Sequence, residues 1–329
     1  MSFAQKEALD RKNVALRQAM GPVLAAALAE PKVVEVMVNP DGRIWIERLG
    51  QGRVFSGHVM ASADAERILR LVADHMGEVV TRDQPMVSGT LPCTGERFQG
   101  VFMPVAAAPL FTIRKRPSEI FTLQDYLAEG IMTSFQAEVV RTAIGRRANI
   151  LIAGGTGSGK TTLANAILAE PAFGNDRVLI AEDTPELQCS AQDKIPLLTK
   201  RSDPTVTMTD LVHAALRLRP DRIVIGEVRD GSALDMLKAW NTGHPGGLAT
   251  LHANSAREAL SRLEDLIAEV TATVPYRAIG QAIDLIVFMR RTSAGIRVES
   301  LLEVLGWADG GYDLRPMAEP CAEIPPSTP

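Results

Sequence analysis

The eight residues Gly154-Gly155-Thr156-Gly157-Ser158-Gly159-Lys160-Thr161 constrain this chain more than any other stretch. They follow an apolar run, Asn149-Ile150-Leu151-Ile152-Ala153, and precede a helical segment, Thr162 to Leu168. A glycine loop joining a buried strand to a helix matches the phosphate-binding loop at every fixed position. The glycines let the backbone curl until its amide N–H groups point inward at phosphate oxygens. The helix N-terminus adds a field that favours an anion. Gly154, Gly155, Thr156, Gly157, Ser158, Gly159, Lys160, Thr161 and Thr162 are therefore expected to cradle the phosphates of ATP or GTP. Lys160 would reach the β and γ phosphates, and the Thr161 hydroxyl would hold Mg²⁺.

Size and charge narrow the setting. The 329 residues suggest two domains or one large one, and a hydrophobic content of 46% allows a substantial core. With 35 basic against 39 acidic residues, the net charge of -4 gives no support for bulk binding to DNA. Cys93, Cys189 and Cys321 are far apart and fit neither a disulfide framework nor a zinc spacing, so a reducing compartment is expected. The sequence contains no long uncharged apolar run and does not open as a signal peptide. A cytoplasmic protein is expected, peripheral to a membrane if it meets one.

The first 117 residues are predicted to form a small α+β domain. Gln5 to Glu30 is predicted helical. Val33 to Val38 and Arg43 to Glu47 flank the turn sequence Asn39-Pro40-Asp41-Gly42, so a hairpin is expected. A helix follows from Ala61 to His75, then strands at Arg97 to Met103 and Leu110 to Arg114. Residues 118–133 are expected to link this domain to a second, at 134–317, in which strands and helices alternate. There Ser134 to Gly145 is predicted helical. The apolar runs at Asn149 to Ala153, Arg177 to Glu182, Arg222 to Gly226, Leu248 to His252 and Leu285 to Met289 suit a parallel sheet covered on both faces. Ser255 is placed to cap a helix from Ala256 to Val270, and Ile296 to Val304 is expected to form a hairpin-like β element. The proline-rich residues 318–329 are expected to be a disordered tail.

Four further groups could carry chemistry. Arg222-Ile223-Val224-Ile225-Gly226-Glu227 is an apolar strand ending in a carboxylate, which would sit at the carboxyl edge of the sheet. Glu227 could there contact Mg²⁺ through water or polarise the attacking water. Glu182, Asp183 and Glu186 cluster after another strand, where like charges repel unless a cation offsets them. They are candidates for metal–water contacts and for placing the nucleophile, and spacing does not rank them. His244 lies in a glycine-rich loop and His252 at a strand end, and either could sense a γ phosphate. Arg97, Arg114, Arg217, Arg219 and Arg229 are candidates to offset transition-state charge, with surface charge as the alternative for each.

Together these motifs resemble the type II/type IV secretion ATPase superfamily. The glycine loop, the acidic Glu182 to Glu186 segment, the Gly226 to Asp230 strand end and the Thr242 to Ser255 segment occur in the order of that family's Walker A, Asp box, Walker B and His box. The chain looks most like the TrbB-type conjugal-transfer ATPases of the VirB11 class, which Leu216 to Asp221 also fits. The four-cysteine metal module of some pilus and type II relatives is absent. The resemblance implies a RecA-like P-loop ATPase domain preceded by a smaller α+β domain. It further implies ATP and Mg²⁺ as ligands, a homo-hexameric ring, and inner-membrane components of a conjugation or type IV secretion apparatus as partners. Glu227 carries over as the Walker B glutamate, His252 as the His-box histidine, and Arg97 and Arg114 as first-domain arginines that reach the γ phosphate. The implied function is ATP hydrolysis that powers conjugative DNA transfer; direct sequence-specific nucleic-acid binding is not expected. A type IV pilus or type II secretion motor, a DNA-translocating RecA-like motor and an ATP-gated assembly scaffold are the alternatives.

Overall fold

The computed structural model describes residues 3–48, 51–92, 94–115, 120–200, 204–293 and 295–318. Cys93, Cys321 and the tail beyond Ala318 lie outside these residues, as do positions 118 and 119 of the expected linker. The chain divides into two compact units, residues 1–119 and 120–329.

In the first unit the elements run α1 (Phe3–Ala29), β1 (Val33–Val38), β2 (Arg43–Arg48), β3 (Gly52–Val59), α2 (Ser62–His75), β4 (Met86–Thr90), β5 (Arg97–Val101) and β6 (Leu110–Arg114). α1 is two helices merged across a kink: Gly21 takes φ 65°, and Pro22 follows it without an N–H to give. The expected hairpin forms around Gly42, whose φ of 77° suits a tight turn. The six strands form one antiparallel sheet in the order β3-β2-β1-β6-β5-β4. Alternate residues, among them Val36, Val38, Ile44, Ile46, Phe98, Phe111 and Ile113, bury one face with Leu24 of α1 and Ile68, Leu69 and Val72 of α2. Each such side chain contributes roughly 1.5–3 kcal/mol. β3 and β4 are additions to the expected strands. Gly52–Val59 carries no alternation to read, because it is an edge strand whose residues are nearly all exposed.

The second unit runs α3 (Leu123–Ala128), α4 (Ser134–Gly145), β7 (Ile150–Gly154), α5 (Lys160–Leu168), β8 (Arg177–Glu182), β9 (Asp193–Leu198), α6 (Met208–Ala215), β10 (Arg222–Val228), α7 (Ser232–Asn241), β11 (Leu248–His252), α8 (Glu258–Ala268), α9 (Tyr276–Ala282), β12 (Leu285–Thr292), β13 (Gly295–Ala308) and β14 (Gly311–Met317). The eight-stranded sheet has the order β14-β13-β12-β7-β11-β10-β8-β9. β12 through β9 in that order are parallel neighbours, while β13 and β14 are antiparallel additions. The continuous apolar strands are buried on both faces, as a parallel sheet requires. Along β7, Leu151 and Ala153 enter one core and Ile150 and Ile152 the other. The expected linker contains α3, whose Leu123 and Tyr126 are buried with Met132 in the core of this unit. Thr122 and Asp125 cap that helix reciprocally, which gives six residues a defined start.

Arg222 is nearly fully buried at the amino-terminal edge of the sheet. Its Nε donates to Asp176 Oδ2 at 2.6 Å, and its guanidinium lies 4.5 Å from the Phe173 ring centre. Arg147 bonds the other Asp176 oxygen. This cluster fixes the end of the sheet opposite the phosphate loop, and Asn149 extends it by bonding Gly247 N–H, Ala282 C=O and the Asp284 carboxylate.

Candidate functional site

β7 ends at Gly154, and α5 begins at Lys160. A Cβ at Gly154 would lie 2.5 Å from the Met289 carbonyl and 2.6 Å from Ser158 Oγ, so no larger residue fits the start of the loop. Gly159 caps α5 at φ 88°, a left-handed conformation that disfavours any side chain. Ser158 is buried, and its Oγ has no hydrogen-bond partner among the described residues. Arg291 of β12 donates from Nε to the Gly157 carbonyl at 2.9 Å. Lys160 is buried. Its ammonium donates to the carbonyls of Gly154 and Gly155, both at 2.9 Å, and lies 3.3 Å from His252 Nδ1.

The parallel register brings the remaining groups to the same edge. His252 ends β11 directly opposite Gly154 of β7. β10 carries one extra residue against β11 between Ile225 and Val228, and Glu227 sits in that irregularity. His252 Nε2 lies 2.8 Å from Glu227 Oε1. The contact is close, yet Oε1 is buried and receives no aligned donor among the described residues. Glu227 Oε2 accepts from Arg229, whose other terminal nitrogen lies 3.9 Å from Asp183 Oδ2. Burial, followed by the neighbouring Lys160 charge, pushes the His252 pKa below the ordinary imidazole value, against the pull of Glu227. A neutral ring with its proton on Nε2 fits both neighbours: Nδ1 accepts from Lys160 and Nε2–H faces the carboxylate.

The acidic turn divides into different roles. Glu182 is buried, with Oε1 accepting the N–H groups of Glu186 at 2.9 Å and Leu187 at 2.8 Å. Expected beside Asp183 and Glu186 as a candidate for metal–water contacts, it ties the turn to the end of β8 through Oε1. Asp183 is exposed and accepts from Thr199 Oγ1 at 2.8 Å. Glu186 is half-buried and, with Asp183, adds to the negative field around Arg229.

Other candidates fall elsewhere. His244 precedes β11, at the edge of the sheet opposite His252, and its ring contacts the Ala239 carbonyl at the end of α7. Arg217 and Arg219 are exposed ahead of β10, also at that opposite edge. In the first unit, Arg97 and Arg114 are direct cross-strand partners on β5 and β6, and Arg114 also faces Glu35 of β1. Thr161 and Thr162 are half-buried in the first turn of α5. Sequence reading gave Arg291 no role, because nothing at Arg290-Arg291-Thr292 marks which basic residue will meet the loop. A cleft of about 480 Å³ opens beside Gly155, Thr156 and His252 and is bounded by Glu258 and Arg262 of α8. Ser255 Oγ accepts the Glu258 N–H at 3.1 Å and so orients the start of that helix.

The site can hold an anion and organise a hydrolytic water. Ser158 Oγ in the glycine loop has no hydrogen-bond partner among the described residues, and Glu227 Oε1 at the neighbouring strand end has the His252 ring beside it but no aligned donor among those residues. Phosphate oxygens and a hydrated divalent cation supply the donors and charge that such groups require. An oxygen ligand set of one hydroxyl and a carboxylate through water suits Mg²⁺, which keeps most of its water and phosphate ligands.

A parallel sheet with this loop and these strand-end groups defines a RecA-like P-loop ATPase, preceded here by a smaller α+β unit. Comparison with known proteins narrows the class. The family model described as "Type II/IV secretion system protein" matches residues 23–295, and this chain belongs to that family. It is 49% identical over 301 residues to a probable conjugal transfer protein TrbB of Sinorhizobium fredii, covering 91% of each chain. It is 48% identical over 306 residues to the conjugal transfer protein TrbB of Rhizobium radiobacter, covering 92% of this chain and 94% of that one. The crystallographic fold of the Legionella pneumophila ATPase DotB matches with a TM-score of 0.58 at 20% identity, over 81% of this chain and 74% of that one. The chain is thus an ATPase of the class that powers conjugative transfer and secretion. No helix among the described residues is long and apolar enough to cross a membrane.

Proposed function

We propose that this chain hydrolyses ATP with Mg²⁺ in a homo-hexameric ring at the inner face of the cytoplasmic membrane, and that the turnover drives conjugative DNA transfer through a type IV secretion apparatus. The observation that carries the reading is the continuous contact from the loop lysine through His252 to Glu227. The conjugal-transfer names of the 48–49% identical relatives support the output.

Gly154 to Thr162 hold the phosphates, with the Thr161 hydroxyl, and Glu227 through a water, as the groups that would hold Mg²⁺. When bound, that cation neutralises charge on the phosphate oxygens. Lys160 leaves its carbonyl partners for the β and γ phosphates. Glu227 orients a water toward the γ phosphorus, aided by Asp183 and Glu186, while Glu182 keeps the acidic turn in place. The water oxygen bonds to phosphorus as the bond to the β–γ bridging oxygen breaks, and the proton the water sheds passes to a phosphate oxygen, giving ADP and phosphate. His252 touches both Lys160 and Glu227, so departure of the γ phosphate changes its surroundings from both sides. Arg97 and Arg114 serve the γ phosphate from the N-terminal domain, residues 1–117. They are cross-strand partners with the Glu35 carboxylate of β1 near both. Residues 134–317 form the ATPase domain, and the product of turnover is a domain motion passed to inner-membrane partners.

The test is the ATPase rate of the purified full chain against Lys160→Ala. A loss of about 10²-fold or more is expected, the scale of removing one preorganised charge contact. Equal turnover would sink the assignment. Light scattering with and without nucleotide checks the ring, and a monomer under every condition refutes it. Strand separation with DNA-stimulated turnover would move the output to the DNA-translocating alternative.

A further inference from the structure

We infer that Arg229 is a positioning residue for hydrolysis: its guanidinium clamps Glu227 to Asp183 and thereby fixes which carboxylate oxygen faces the phosphate loop. The inference rests on the ATPase reading above. Glu227 lies next to the end of β10 at Val228, and Arg229 is the first residue after that strand. Glu227 Oε2 takes a hydrogen bond from one terminal nitrogen of Arg229, and the other lies 3.9 Å from Asp183 Oδ2. Asp183 is itself held, through Oδ1, by Thr199 Oγ1 at 2.8 Å. One planar fork thus joins the carboxyl ends of β10 and β8.

Three physical consequences follow. The terminal torsion of a glutamate is broad and nearly two-fold, so an unclamped carboxylate exchanges its oxygens freely. With Oε2 committed to Arg229, Oε1 is the oxygen left beside His252, buried and without an aligned donor among the described residues. Glu227, Asp183 and Glu186 would also repel one another without a cation among them, and all three act on Arg229. A lysine could supply the charge but not two donors in a fixed plane.

The experiment compares Arg229→Met and Arg229→Lys with the wild type and Lys160→Ala, all as the full chain. For Arg229→Met, kcat is expected to fall about 10- to 100-fold, as for a misplaced catalytic group, while KM for ATP–Mg²⁺ stays within about 3-fold. Arg229→Lys should recover part of the loss. A merely structural ion pair would lower the melting temperature and leave kcat near the wild type at a temperature where the variant is folded. Wild-type kcat in Arg229→Met, or a KM rising in step with the loss of kcat, would each overturn the clamp. If Arg229→Met does not fold, Arg229→Lys and Asp183→Asn carry the same measurements, and wild-type kcat in both overturns it. Equal turnover of wild type and Lys160→Ala removes the ATPase reading, whereas a folded Arg229→Met at wild-type kcat beside an inactive Lys160→Ala overturns the clamp alone.

Discussion

Replacing Glu182 separates a structural carboxylate from a catalytic one. Its side chain is 3% exposed, and Oε1 accepts two backbone N–H groups, from Glu186 and Leu187. Hydrogen bonds to a charged group contribute about 1.5–3 kcal/mol each, and Glu182→Ala removes two and opens a small cavity against Gly226. A loss of about 3–5 kcal/mol is expected, at the lower end of that sum because the turn is partly open to water. For a unit the size of residues 120–329, about 2–4 °C accompanies each kcal/mol, so the melting transition should fall by about 6–20 °C. Glu182→Gln keeps one acceptor oxygen and should lose about half as much. Glu186→Gln leaves both backbone bonds intact and should melt near the wild type. Scanning calorimetry without nucleotide reads all three, alongside turnover at a temperature where each is folded. The reasoning fails if Glu182→Ala melts within about 2 °C of the wild type while losing turnover, for then the carboxylate serves the chemistry and not the turn.

Two further expectations follow from the buried and half-buried charges. His252 has its pKa lowered, first by burial and then by Lys160, so the folded protein favours the neutral ring. Its contribution to stability is complete above the unfolded value of about 6.5 and is lost as pH falls through the lowered folded value; turnover should decline over that acid window, and His252→Asn should flatten the decline in a pH–rate profile from 5 to 8. At the opposite edge of the sheet, Arg222→Met leaves Asp176 with Arg147 as its remaining guanidinium partner, which should cost about 3–5 kcal/mol of stability in chemical denaturation; a loss below about 1 kcal/mol would show that Arg147 alone satisfies the carboxylate.

Legibility followed local pattern. Arg177–Glu182 and Leu248–His252 form strands over the ranges their apolar runs predict, because a parallel strand buried on both faces needs nothing beyond continuous apolarity. Ser134–Gly145 is likewise a helix over its predicted range, with Thr133 and Gln136 as its capping box. β9 and β3 escaped because edge strands bury little and carry mixed sequences. The kink in α1 was present in the letters as Gly21-Pro22, yet the surrounding helix-forming residues masked it. Local sequence left both His244 and His252 as candidates, and the family resemblance singled out His252. Their separation comes from strand direction: one precedes β11 and the other ends it, so five residues of extended chain stand between the two edges.

What no local pattern could supply is the order in which the site residues meet. In sequence the carriers run β7, β8, β10, β11; across the sheet they run β7, β11, β10, β8. The contacts follow the spatial order. Lys160, just after β7, meets His252 of β11; His252 meets Glu227 of β10; Glu227 shares Arg229 with Asp183, just after β8. Each link joins neighbouring strand ends, about 4.8 Å apart in a sheet, so one row of charged and polar side chains runs along the carboxyl edge through near neighbours. Moving β11 or β10 in that order would break two links while leaving every motif intact in the sequence. The crossover topology therefore converts four separately readable motifs into one electrostatically connected site, and a disturbance at the phosphate loop reaches Asp183 through three side chains held at adjacent strand ends.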